Sequence, residues 1–146
     1  MKKKIILTLL ATFIVILSKA DDTQISFDGL PEKARKFIQT HFQDSQVSYV
    51  EFDQKDNDYE VKLIPKAEIS FDGAGNWKKI DSRKMPQSIT KELPQPMVDY
   101  LNKNYSMKSV SEIKRWNNGY EVEISKTFGD VDLYFDEQGK FVRKDK

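Results

Sequence analysis

The sequence predicts an α+β fold made of two tandem repeats, each a helix followed by four antiparallel β-strands, with both helices packed on one face of the sheet. Three observations predict it. An amphipathic segment opening on Leu-Pro occurs at Leu30 and again at Leu93, an alternating Tyr-Glu-Val segment at Tyr59 and Tyr120, and a Phe-Asp turn closing on glycine at Phe71 and Phe135. The copies are offset by 63, 61 and 64 residues at these three places, which confines insertions and deletions to the turns.

Residues 1–20 have the composition of an export signal. Lys2, Lys3 and Lys4 precede an apolar run from Ile5 to Leu17, too short for a spanning helix of roughly 20 residues. Ser18-Lys19-Ala20 supplies small residues for cleavage after Ala20. The chain contains no cysteine, so it has no thioether attachment point for a lipoprotein anchor. The mature chain is therefore expected in the periplasm or outside the cell, with no stable membrane anchor, and its folding must rely on packing rather than disulfides.

The first repeat is placed at residues 21–83 and the second at 84–146, together forming one compact domain. In the helices, Leu30, Ala34, Phe37, Ile38 and Phe42 match Leu93, Met97, Tyr100, Leu101 and Tyr105. Spacing of i, i+4, i+7, i+8 and i+12 makes one apolar stripe, and Pro31 or Pro94 sits in a first turn that has no N–H to lose. Helices are expected over about 31–43 and 94–105. Strands are expected over about 46–53, 58–64, 67–72 and 76–81, then 109–116, 119–125, 130–136 and 140–144. The turn after the second copy's first strand is Asn117-Asn118-Gly119, suited to positive φ and a tight hairpin. Pro65 must stand at a bend or edge, because it cannot donate to a ladder. Ser82 to Glu92 connects the copies and is expected to hold one short helix, with Pro94 and Pro96 preventing a continuous run into the next. One helix covers the apolar face of four strands poorly, so the two sheets should join or abut.

The order Leu-Pro, amphipathic helix, Tyr-Glu-Val-(Lys/Glu)-(Leu/Ile), Phe-Asp-x-x-Gly-x-(Trp/Phe), written twice over residues 25–146, resembles the PepSY-like family of β-lactamase-inhibitor-like exported proteins. The resemblance implies tandem helix-plus-sheet repeats, no enzymatic activity, and kinship with an inhibitor that grips an enzyme through a concave sheet. One departure is the turn between the second and third strands, which is Ile64-Pro65-Lys66-Ala67 in one copy and Ser125-Lys126-Thr127-Phe128-Gly129 in the other.

Charge narrows the function further. The 24 Lys and Arg nearly balance 23 Asp and Glu, but after residue 20 the chain carries 20 basic against 23 acidic groups, a net of −3. Nucleic-acid binding driven by bulk charge is disfavoured. Nucleophilic catalysis is disfavoured too, since His41 is the single histidine and its counterpart is Asn104. Asp72 and Asp136 belong to turns, where carboxylates cap their own backbone N–H groups. Asn104-Tyr105-Ser106 formally matches a glycosylation acceptor but lies at a helix end. Asp53, Asp56 and Asp58, in the acidic 53–60 loop, are weak candidates for calcium, since the loop lacks the EF-hand glycine and late glutamate. No cofactor is implied.

What remains is a surface. With Val50, Val61, Leu63, Ile113, Val122, Ile124, Leu133 and Phe135 turned toward the helices, the alternate residues face away. That places Tyr49, Trp116, Tyr134 and Trp77 on a helix-free sheet face among charges, a composition suited to recognition. The sequence thus points to a non-catalytic module of the cell envelope that binds or inhibits an envelope protein or peptide. The alternative is a small-molecule or calcium-binding envelope protein using the 53–60 loop.

Overall fold

The structure is a computed structural model, and it describes residues 22–146. The export signal and its cleavage point lie outside the described residues. The chain runs β1 (Asp22–Gln24), α1 (Glu32–His41), β2 (Gln46–Asp53), β3 (Asp58–Ile64), β4 (Ala67–Asp72), β5 (Trp77–Ser82), α2 (Gln95–Asn104), β6 (Val110–Trp116), β7 (Gly119–Ile124), β8 (Val131–Asp136) and β9 (Phe141–Asp145). Short 3-10 turns stand at Phe27–Gly29, Gln87–Glu92 and Met107–Ser109. Every strand is antiparallel to its neighbours in one nine-stranded sheet ordered β1 to β9. The four-plus-four expectation therefore gains a strand, β1, laid along the outer side of β2. The two sheets join through β5 and β6, where Lys79 pairs with Lys114, Ile80 with Ile113 and Asp81 with Glu112.

The core follows from the alternation. The register carries Val61, Ile69, Ile80, Ile113, Val122 and Leu133 side by side across six strands, all fully buried. Each helix lays its stripe on this row. Phe37 on α1 meets Phe71 edge-on at 5.6 Å, and Tyr100 on α2 meets Phe135 edge-on at 5.4 Å. Both helices thus cover one face, because Phe71 and Phe135 stand two residues beyond Ile69 and Leu133 on the same side of the pleat.

The duplication extends to irregularities that alternation alone does not encode. A bulge at Ser48 in β2 recurs at Ser111 in β6, and the serine hydroxyl donates to a carbonyl of the next strand in both cases, Lys62 at 3.0 Å and Glu123 at 3.4 Å. A second bulge at Lys78 in β5 recurs at Val142 in β9. The Phe-Asp turns also match. Asp72 accepts from the N–H groups of Ala74 and Asn76, and Asp136 from those of Gln138 and Lys140. Burial works against ionisation of Asp72, but the hydrogen bonds from Asn76 and Ala74 outweigh it and hold its carboxyl below the usual range. Gly75 and Gly139 take φ of +83° and +81° and press their α-carbons against the first turns of α1 and α2. The glycine of the motif and the proline that opens the helix are therefore two sides of one contact.

The structure corrects two expectations. The hairpin between β6 and β7 has Asn117 and Asn118 as its central residues, neither at positive φ, because Gly119 is already paired with Trp116. Trp77 is not on the helix-free face: it is 5% exposed and lies in the core. Counting back from inward-facing Ile80 turns residue 77 outward, but the extra residue Lys78 shifts the pleat by one and turns it in. There the indole sits 6.4 Å from Phe37 and 6.3 Å from Tyr120, which ties the first helix to the second copy's strands.

Candidate binding face

Strand alternation positions the side chains of the uncovered face. On β2 they are Tyr49 and Glu51, on β3 Glu60 and Lys62, on β6 Glu112, Lys114 and Trp116, and on β8 Asp132 and Tyr134. The Tyr49 hydroxyl donates to Glu51 at 2.7 Å, and this carboxylate pushes the phenol above its ordinary value. The Lys62 ammonium stands 5.7 Å from the Tyr49 ring and pairs with Glu60 at 3.0 Å. The Arg143 guanidinium lies over the Tyr134 ring at 3.8 Å. Trp116 ends β6 and is 54% exposed, a large apolar surface left in water.

Of the four aromatic residues expected to form a patch, the structure brings two together. Trp116 and Tyr134 sit on β6 and β8, with β7 alone between them, about 10 Å across the sheet. Tyr49 lies on β2, four strands from Trp116 and in register with Glu112, about 19 Å across the sheet and about a further 13 Å along it. Trp77 is in the core.

The centre of the face is an ion-pair chain. Lys79 reaches Glu68 and Glu112 at 3.6 Å each, and Lys114 reaches Glu112 at 2.8 Å and Glu121 at 3.4 Å. The hydrogen bond that Lys114 donates to Glu112 raises its pKa above the ordinary value, against the opposing effect of burial. This chain ties the two lysines to carboxylates on β4, β6 and β7.

The model of a family described as "Putative beta-lactamase-inhibitor-like, PepSY-like" matches residues 17–72 and, a second time, 57–143. The chain belongs to the PepSY-like family. The two matches, overlapping over residues 57–72, agree with a chain in which the family pattern occurs twice. Among solved structures, this PepSY-like chain is similar to a "putative calcium-regulated periplasmic protein" of Bacteroides thetaiotaomicron, with 29% identity and a TM-score of 0.74 over 86% of this chain and 98% of that one. Two proteins of Bacteroides vulgatus, each described as a "putative periplasmic protein", are similar as well. One is 29% identical with a TM-score of 0.71, covering 86% of this chain and 99% of that one. The other is 27% identical with a TM-score of 0.74, covering 88% and 100%. No curated protein matches the chain.

The calcium candidates of the PepSY-like chain are largely engaged by their own loop. Asp53 accepts from the N–H groups of Lys55 and Asp56, and Asp58 pairs with Lys78. Asp56 is exposed at the tip. A shallow hollow of about 280 Å³ does gather Asp22, Glu51, Asp53, Asp58 and Glu60 at the start of the first repeat. Among the described residues, no group of three or more acidic or histidine side chains is arranged to hold a metal ion.

A constellation that the sequence does not reveal centres on His41. Its Nδ1 lies 2.9 Å from the Ser88 hydroxyl and its Nε2 2.9 Å from a Glu92 oxygen, while Phe37 packs on the ring at 4.7 Å. The order of groups is that of a hydrolytic triad, but the imidazole is buried beneath the connector between the copies. The hollow described above is lined by other residues, as is a smaller one at Arg115, Trp116, Asn117, Gly119, Tyr120 and Glu137. Through these two contacts His41 ties α1 to the Gln87–Glu92 turn. Ser88 and Glu92 were not legible as its partners because only the folded connector brings them to it.

Proposed function

We propose that this chain is a non-catalytic periplasmic protein that binds a protein or peptide partner through the helix-free face of its sheet and acts by occluding what it binds. The observation that carries the reading is Trp116, 54% exposed on a bare face with Tyr134 two strands away, while the opposite face is buried under two helices. Aromatic side chains held on a rigid sheet lose little entropy on contact and dominate binding energy. The periplasmic relatives and the export-signal composition of residues 1–20 support the location.

The test is affinity capture from a periplasmic extract with the mature chain, beside Trp116→Ala/Tyr134→Ala. Both side chains lie outside the core, so the double variant keeps its circular dichroism and melting temperature. It is expected to bind its partner at least about 30-fold more weakly, as for the loss of a side chain worth about 2 kcal/mol. A folded double variant that retains every partner removes the reading.

A second reading, calcium binding at the Asp53–Glu60 end, is favoured by the carboxylate-lined hollow and by a relative described as calcium-regulated. Under it, calcium at about 100 times its Kd raises stability by about 2.7 kcal/mol. Calorimetry showing no heat, together with an unchanged melting temperature in millimolar calcium, eliminates it.

A further inference from the structure

The register lines up residues that lie far apart in the chain. On the bare face, Glu68 of β4 pairs with Asp81 of β5, Asp81 with Glu112 of β6, Glu112 with Glu123 of β7, Glu123 with Asp132 of β8, and Asp132 with Asp145 of β9. One file of carboxylates crosses six strands at about 4.8 Å per step, roughly 24 Å in all. Like charges directly opposite one another on neighbouring strands destabilise a sheet. Internal cations offset part of this: Lys79 reaches Glu68 and Glu112, Lys114 reaches Glu112, and Arg143 pairs with Asp145. Asp81 and Asp132 have no ion-pair partner among the described residues, and Glu123 is held only by the Ser111 hydroxyl at 2.6 Å. The file thus keeps an excess of negative charge, at a cost to folding, on the face where Trp116 and Tyr134 are displayed.

We propose that this sheet face docks a lysine- or arginine-rich segment of a partner, laid across the strands along the carboxylate file. The inference rests on the sheet-face reading above and names the chemistry of its partner. Charge complementarity selects the occupant. An isolated exposed carboxylate contributes little, but a file of them sums into a field that attracts cations and repels nucleic acid, anionic lipid and acidic protein surfaces. Alternate residues of an extended chain stand about 6.6 Å apart, within what flexible lysine stems accommodate against carboxylates about 4.8 Å apart. Trp116 stands four residues along β6 from Glu112, about 13 Å from the file, where its exposed ring can take a cation from a segment that extends past the file.

The probe is an octalysine peptide titrated into the mature chain by fluorescence anisotropy at 50 mM and 200 mM salt, with octaglutamate as the control. Octalysine binds, octaglutamate does not, and affinity falls about tenfold between the two salt concentrations. Asp81→Asn/Asp132→Asn weakens octalysine about tenfold, and relief of the opposed charges raises its melting temperature by about 2–6 °C. Weaker binding by a more stable protein is a signature that disrupted folding cannot produce. The proposal is overturned if octalysine does not bind, if the double variant binds it like the parent, or if the file instead holds calcium that Asp81→Asn/Asp132→Asn abolishes while octalysine binding is unchanged. Failure of octalysine while Trp116→Ala/Tyr134→Ala still loses its periplasmic partner removes the cationic chemistry and leaves the sheet-face reading standing. Octalysine binding through Asp81 and Asp132, with every partner retained by the aromatic variant, does the reverse.

Discussion

Phe71→Ala lowers the free energy of unfolding by about 3–5 kcal/mol, the range for deleting a fully buried phenylalanine from a core that cannot collapse around the space. Phe71 is 0% exposed, stands edge-on to Phe37, and is paired with Tyr59 and Trp77 on its two flanks. Strand partners on both sides and a helix above keep the surrounding atoms from closing in. The measurement is urea unfolding followed by fluorescence, with Trp77 reporting from the adjacent strand. Because β5 and β6 join the copies into one sheet and Trp77 packs across the join, the expected transition is single, with its midpoint displaced. A loss below about 1 kcal/mol is incompatible with this packing. A biphasic curve, with the second copy surviving the first, contradicts the shared core. In a domain whose total stability is of the order of 5–15 kcal/mol, the variant is left near the edge of folding.

Gly139→Ala is the second large effect, and its cause is backbone rather than burial. At φ of +81° a side chain is strained, and a methyl group there meets the Pro94 β-carbon at 2.6 Å and the Met97 β-carbon and backbone nitrogen at 3.1 Å. The conformation alone costs about 1–3 kcal/mol, and the first turn of α2 must also move away from the hairpin. Gly75→Ala meets Pro31 at 2.9 Å and is expected to lose slightly less. Thermal unfolding of the two variants side by side tests the point. A Gly139→Ala protein as stable as the parent would show that α2 and the β8–β9 turn do not touch as described.

The legibility of this fold in its sequence comes from the duplication. Leu30 and Leu93 fix the helices, and Tyr59 and Tyr120 fix the strands after them, because each pattern is read twice and a chance alternation seldom repeats in the same order. The boundaries of β2, β3 and β4 fall where the alternation places them. Features that depend on a single extra residue or on distant partners were not legible. Trp77 turns inward because Lys78 bulges, and no local pattern marks a bulge as distinct from a continuing strand. β1 consists of Asp22, Thr23 and Gln24, polar residues with no apolar alternation to announce them. Ser88 and Glu92 meet His41 only once the connector folds back over α1. The carboxylate file is invisible along the chain, where its members are 11 to 31 residues apart with one nearer pair, and appears only when six strands come into register.

The strand β1 has a consequence for how such a molecule stops growing. The join between the copies pairs the last strand of one unit with the first strand of the next, a head-to-tail arrangement that has no symmetry to close it. Nothing in that geometry limits the series to two, since β9 leaves the same kind of edge as β5, and β2 is the counterpart of β6. Asp22, Thr23 and Gln24 lie along β2 opposite Asp53, Phe52 and Glu51, on the flank that a third unit would use. Three polar residues thus occupy one end of the edge that a third unit would need and blunt it against pairing with another strand.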